Sequence, residues 1–214
     1  MIRRPPRSTL SSSSAASDVY KRQMTEWDGT NNLVDPLCGS GTFLIEAVSM
    51  LLGIASGMDR QFLFKNWPDF DISCWNKELK MAKKIKPLNK KLTKIIGCEV
   101  DEMIAHSACD NVRKAGLKDY IEIINCPFQE FQLPLGLGLL ICNPPYGKRI
   151  GDENELPNLY KQLGEYCKKK ASGWDLWLLN GNPKLSKYLG MKASRRFQVN
   201  NGSIDCRWLN YKIK

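Results

Sequence analysis

The stretch LVDPLCGSGTFLIEAV, residues 33–48, sets an apolar strand, a turn with two glycines and an apolar-striped helix in immediate succession. The strand reads over 33–35. The helix reads over 42–55, where Phe43, Leu44, Ala47, Leu51 and Ile54 recur at helical spacing. Gly39 and Gly41 allow the backbone to turn tightly beneath a ligand, and Thr42 is placed to cap the helix whose N-terminus faces that turn. The segment has neither the GxGxxG pattern of dinucleotide sites nor the lysine of a phosphate-binding loop, so a ligand without phosphate fits it better. Asp35, Pro36, Cys38, Gly39, Ser40, Gly41 and Thr42 form the candidate cradle.

Outward from this unit the pattern repeats. A second strand reads over 94–99, a helix over 101–115 ended by Gly116, a third strand over 120–125 and a fourth over 137–142. A helix over 156–170, a strand over 175–180 and a short helix near 183–189 follow. Two closing strands, 195–199 and 204–211, are joined by Asn200-Asn201-Gly202, a hairpin signal. Strands that alternate with helices predict a parallel, doubly wound α/β sheet, here with one antiparallel strand brought in by the final hairpin.

Composition narrows the chemistry. The 214 residues, 43% hydrophobic, predict one domain with a substantial core. Eight cysteines, none closer to another than 11 residues, form no CxxC or zinc knuckle. They read as buried thiols of a reducing, cytoplasmic or organellar compartment. His106 is the sole histidine, which removes histidine-rich metal sites and Ser-His or Cys-His nucleophile pairs. No metal is expected, and no apolar run reaches the length of a membrane span. Residues 1–23, basic and serine-rich, read as translated adapter sequence, with the domain itself occupying 24–214. Without them the charge balance is 27 basic to 21 acidic residues instead of 32 to 22. The eight lysines between 77 and 94 read as a solvated insertion.

Two further motifs carry chemistry. In IIGCEVDEM, residues 95–103, Glu99 ends the second strand, where an acid is suited to accept hydrogen bonds from both hydroxyls of a ribose or else stands solvated. Asp101 reads as the cap of the next helix. In LLICNPPYGKRI, residues 139–150, the fourth strand stops at Asn143-Pro144-Pro145-Tyr146, in the cleft where open sheets bind ligands. Two prolines remove backbone donors and hold the chain extended, so carbonyl oxygens project as acceptors. Asn143 adds a side-chain carbonyl and Tyr146 a flat face for stacking. These groups suit an exocyclic amine on a planar ring. Cys142, beside them, reads as core packing in preference to a nucleophile.

DPLCGSGT, GCEVD and NPPYG, in this order and spacing, resemble the S-adenosylmethionine-dependent methyltransferases that modify amino groups of nucleobases. More narrowly, DPLCGSGTFLIEAV, CNPPYGKRI and the tail GWDLWLLNGNPKLSKYLGMKASRRFQVNNGSIDCRWLNY resemble the RlmL-type 23S rRNA guanine-N2 methyltransferases, whose members carry a THUMP domain. The likeness spans nearly all of 33–213. It implies a class I, Rossmann-like fold with a mostly parallel seven-stranded sheet ending in an antiparallel hairpin, S-adenosylmethionine as cofactor and RNA, ribosomal RNA above all, as partner. It also implies a cofactor-holding glycine motif (Asp35, Gly39, Gly41), a ribose acid (Glu99) and a guanine-holding loop (Asn143, Pro144, Tyr146).

The resemblance has two departures. Relatives commonly place an Asp after the third strand against the cofactor adenine, whereas INCPFQEF has Pro127 there, leaving Phe128 and Gln129 as substitutes. The THUMP domain and the segment that normally covers the methionine end are not seen, so the chain reads as a fragment. A tRNA substrate, adenine-N6 transfer and an RNA-binding remnant without catalysis are the competing readings. Lysines within 83–94, Lys168 to Lys170 and Lys148-Arg149 are candidate phosphate contacts, individually readable as solvated faces.

Overall fold

A computed structural model describes residues 25, 27–55, 62–82, 93–146, 155–201 and 204–214. The elements are β1 (Asn32–Asp35), α1 (Thr42–Leu51), α2 (Ile72–Ala82), β2 (Ile95–Glu99), α3 (Glu102–Lys114), β3 (Glu122–Asn125), β4 (Gly138–Cys142), α4 (Leu156–Lys170), β5 (Asp175–Asn180), β6 (Arg195–Asn201) and β7 (Ile204–Lys212). Short 3-10 turns lie at Leu63–Asn66 and Leu185–Leu189.

Seven strands form one sheet in the order β3-β2-β1-β4-β5-β7-β6. The first five run parallel, and β7 enters antiparallel between β5 and β6. The expected class I architecture is therefore present. Reversal of strand order between β1 and β4 opens the crevice in which such sheets bind ligands.

The central strands are apolar throughout because helices cover both faces. Successive side chains alternate: Leu140, Cys142, Leu176 and Leu178 pack with Tyr160, Leu163 and Cys167 of α4. On the other face, Leu139, Ile141 and Trp177 pack with Phe43, Leu44 and Val48 of α1. The rings of Phe197, Trp177 and Trp208 stack there, with centroids 6.0 and 5.6 Å from Trp177. Each buried Leu of this kind stabilises by about 1.5–3 kcal/mol.

Several boundaries differ from the sequence reading for local reasons. α1 ends at Leu51 and not at residue 55, because Gly53 takes a left-handed φ of 68° that the helix cannot continue through. Residues 77–82 of the lysine-rich stretch form the second half of α2, while 83–92 lie outside the described residues. Phe62, Phe64 and Phe70, ahead of α2, form with Trp75 on its first turn a small aromatic cluster that periodicity did not disclose. Asn200 and Asn201, read as turn residues, belong to β6 and pair with Asp205 and Ile204. Asp101 does cap α3, its carboxylate accepting from Ile104 N–H at 3.0 Å.

Candidate active site

The motifs converge at the carboxyl ends of β1, β2 and β4, which are neighbours in the sheet. Asp35 closes β1, is 2% exposed, and accepts from the Leu37 N–H at 3.1 Å, which starts the turn. Pro36 is buried beneath the loop. Cys38 anchors the loop by donating its N–H to the Cys98 carbonyl at 2.9 Å. Burial, reinforced by the charges of Asp35 and Glu99, pushes the Cys38 thiol far up, so it is a neutral packing group.

Gly39 (φ 53°) and Gly41 (φ 79°) both adopt left-handed conformations. Thr42 is not the helix cap that the sequence predicted. Gly41 occupies the cap position, with no side-chain cap bond, and Thr42 is the first helical residue, its hydroxyl 3.0 Å from that of Ser40. The left-handed turn at Gly41 carries the chain into the helix without a capping side chain. From α3, Asn111 donates to the Ser40 carbonyl at 3.1 Å and pins the loop from outside.

Glu99 sits beside this loop. One carboxylate oxygen accepts from Gly39 N–H and the other from Asp101 N–H, each at 3.0 Å. Asn125, at the end of β3, donates its amide to the carbonyls of Glu99 and Val100 at 2.9 and 3.1 Å and fixes the strand end that carries the acid. Asn111, inside α3, and Asn125, the last residue of β3, were not singled out in the sequence, where nothing local marks their contacts with distant backbone.

Phe128 is a correction. It is 4% exposed and lies in the core edge-to-face with Tyr166, ring centroids 5.5 Å apart, so its face is not offered to a cofactor base. Apolar packing under α4 outweighed exposure on the rim. Gln129 donates to Gln162 of α4 at 2.7 Å and is likewise engaged.

At the end of β4, Asn143 is exposed, Pro144 buried and Pro145 half-buried. Cys142 is fully in the core, its thiol pushed well up by burial first and by Asp35 and Cys167 next, which agrees with packing and not nucleophilic chemistry. Tyr146 is half-buried. Its hydroxyl accepts from Asn201 Nδ2 of β6 at 2.6 Å and lies 3.8 Å from Cys206 Sγ. A Cβ placed on Gly181 would overlap the Tyr146 ring at Cε2 and Cδ2, so the ring rests directly on the backbone after β5. Gly181 was missed; a glycine just past a strand end signals such a close approach. Residues 147–154, with Lys148 and Arg149, lie outside the described residues.

Among the described residues no three His, Cys, Asp or Glu side chains gather as a metal site, and no helix is long and apolar enough to cross a membrane.

A family model described as RMKL-like, methyltransferase domain, of the family UPF0020, matches residues 15–210. The chain belongs to this family. A Synechocystis protein provisionally named RNA methyltransferase slr0064 is 39% identical to this UPF0020 chain over 191 residues, covering 89% of it and 50% of the relative. The ribosomal RNA large subunit methyltransferase K/L of Marinomonas sp. is 39% identical over 190 residues, 86% of this chain and 26% of the relative. The UPF0020 chain thus spans a quarter to a half of these relatives' lengths. Among solved structures, SMU.472, provisionally a methyltransferase and complexed with SAH, superposes with a TM-score of 0.81 at 28% identity, over 94% of this chain and 52% of the other.

Proposed function

We propose that this chain transfers a methyl group from S-adenosylmethionine to the exocyclic N2 amine of a guanine in RNA, with large-subunit ribosomal RNA the favoured substrate. The observation that carries the reading is the convergence of the Gly39–Glu99 pair and the Asn143 to Tyr146 loop at adjacent strand ends.

The residues fit a cofactor of this kind. A Cβ on Gly39 would meet nothing within 4 Å, so the backbone there opens onto free space. Asp35 and Glu99 bring negative charge to the N-terminus of α1, which disfavours a phosphate and favours a cationic ligand. Asp35, Gly39 and Gly41 would hold its methionine and ribose part, and Glu99 the ribose hydroxyls. Once bound, this cofactor supplies an electrophilic methyl on a sulfonium.

The chain's own part is positioning. Asn143 Oδ1 and the Pro144 carbonyl accept the amine hydrogens and turn its lone pair toward the electrophile. Tyr146 offers a ring for a base drawn out of its stack. Alignment of this type supplies a large share of the rate. The eight free thiols accord with work in a reducing compartment.

The test is transfer of labelled methyl from the cofactor to a panel of unmodified RNAs, followed by nucleoside analysis. Label in N2-methylguanosine is expected. Label in N6-methyladenosine alone, or cofactor-independent RNA binding without transfer, would replace this reading.

A further inference from the structure

A cavity of about 240 Å³ lies between the 3-10 turn Leu185–Leu189 and the sheet edge formed by β5, β7 and β6. Its polar lining is Asn180, Ser186, Lys187, Arg196, Arg207 and Tyr211. None of the described lining residues is acidic. Asp205, two residues before Arg207, is not in the lining, and Asp175 farther down β5 is neutralised by Lys212 at 2.6 Å. Arg207 pairs across the ladder with Asn180, and Arg196 with Leu209 beside it. The two guanidinium side chains thus project from neighbouring strands on the face that carries Leu209 and Tyr211.

Donors dominate the remaining groups. Asn180 is 2% exposed and its Oδ1 is taken by the Asn182 N–H at 2.8 Å, which leaves its NH2 to donate. Burial pushes the Tyr211 hydroxyl up to about 12, partly offset by Arg196, so it stays protonated at neutral pH. Lys187 lies 5.0 Å over the Tyr188 ring, keeping its charge at the rim. A concave site with three cations and further donors matches a phosphodiester, whose oxygens accept only.

Position ties the cavity to the candidate site. Asn180 lines it, and the next residue, Gly181, is the seat of the Tyr146 ring. We infer that this cavity docks a backbone phosphate of the RNA strand next to the target nucleotide, so that Arg196 and Arg207 fix the register in which a base reaches Tyr146. The inference rests on the proposed action on RNA and adds a site for the strand that the acceptor loop does not provide.

The experiment titrates a short fluorescent single-stranded RNA against the full 214-residue chain by anisotropy over a series of salt concentrations. Arg196→Gln/Arg207→Gln is expected to weaken binding about tenfold or more and to reduce the slope of log affinity against log salt by about 1 to 2, leaving cofactor affinity unchanged. A control pair, Lys94→Gln/Lys118→Gln, removes the same charge at the opposite end of the strands, where both residues line a separate depression. Equal losses in the two pairs, or no loss in the arginine pair, would overturn the inference. Arg196→Lys/Arg207→Lys should recover most of the binding; if it behaves like the glutamine pair, the loss is structural and the inference falls. Inorganic phosphate at matched ionic strength distinguishes the source: weak competition supports a strand phosphate, while displacement of RNA by low phosphate points to a free-anion site and overturns strand docking. RNA binding that depends on the arginine pair, in a protein that methylates no RNA, would uphold the cavity and remove the methyl-transfer reading.

Discussion

Gly39 and Glu99, sixty residues apart, are joined by a 3.0 Å hydrogen bond in which the glycine N–H donates to the carboxylate. The same carboxylate accepts from Asp101 N–H, so one side chain ties the glycine loop to the start of α3. An acid in this place shapes the glycine loop.

Glu99→Ala is therefore expected to weaken S-adenosylmethionine binding by about 1–3 kcal/mol through lost ribose contacts and a loosened loop. Gly39→Val should weaken it too, since a β-branched residue resists the left-handed φ of 53°. Calorimetric titration of the cofactor checks both, and parental affinity in Glu99→Ala would remove Glu99 from the ribose role.

Asn143 stands exposed at the end of β4, clear of the glycine loop's hydrogen bonds. Asn143→Ala should keep cofactor affinity while turnover falls on the order of a hundredfold, because a misdirected amine forfeits about that much. Single-turnover methylation of RNA decides it. A parental rate would mean that the loop has no part in orienting the amine.

Tyr146 separates ring from hydroxyl. Tyr146→Ala should cost about 1–3 kcal/mol in capture of the base by losing the stacking face. Tyr146→Phe, which forgoes the bonds from Asn201 and Cys206 but keeps the ring, should retain most activity. Gly181→Ala should be worse than Tyr146→Phe because the new methyl displaces the ring itself. The ratio of KM values for the three variants reads the order directly.

Burial keeps the thiol of Cys167 protonated up to about 12, against an ordinary value of 9.0, and raises Cys142 well above its ordinary value. In the unfolded chain both ionise near 9, so the native state holds protons that the unfolded state releases. Stability is thus complete below about pH 9 and declines as pH rises toward 12. Melting temperatures between pH 8 and 11 check this, and Cys167→Ala should flatten the decline.

Residues 1–23 offer little apolar surface for a core. Their removal should leave the melting temperature unchanged. A clear drop would show that the segment is integrated with the domain and is not adapter-derived.

The centre of the sheet was legible because β1, β2, β4 and β5 are short, largely apolar runs closed by turn chemistry, and the final hairpin because Asn-Asn-Gly marks it. The turn after β1 was legible because its left-handed backbone at Gly39 and Gly41 favours glycine. What escaped depends on contacts between distant segments. The glycine of NGNP signals a close approach but not that the visitor is an aromatic ring thirty-five residues earlier, and Asn201 is read as a turn residue by anyone who sees only Asn-Asn-Gly. Phe128 misled for the same reason: an aromatic after a strand looks like a rim residue until α4 is laid over it.

β6 is an outermost strand of the sheet, and its backbone pairs with β7, which in turn pairs with β5. The hydroxyl of Tyr146 is thus held by a strand with a neighbour on one side alone. Fraying of that outer edge would release Tyr146 before it disturbed β1, β2 or β4, so the tether of this ring is the part of the site most easily loosened.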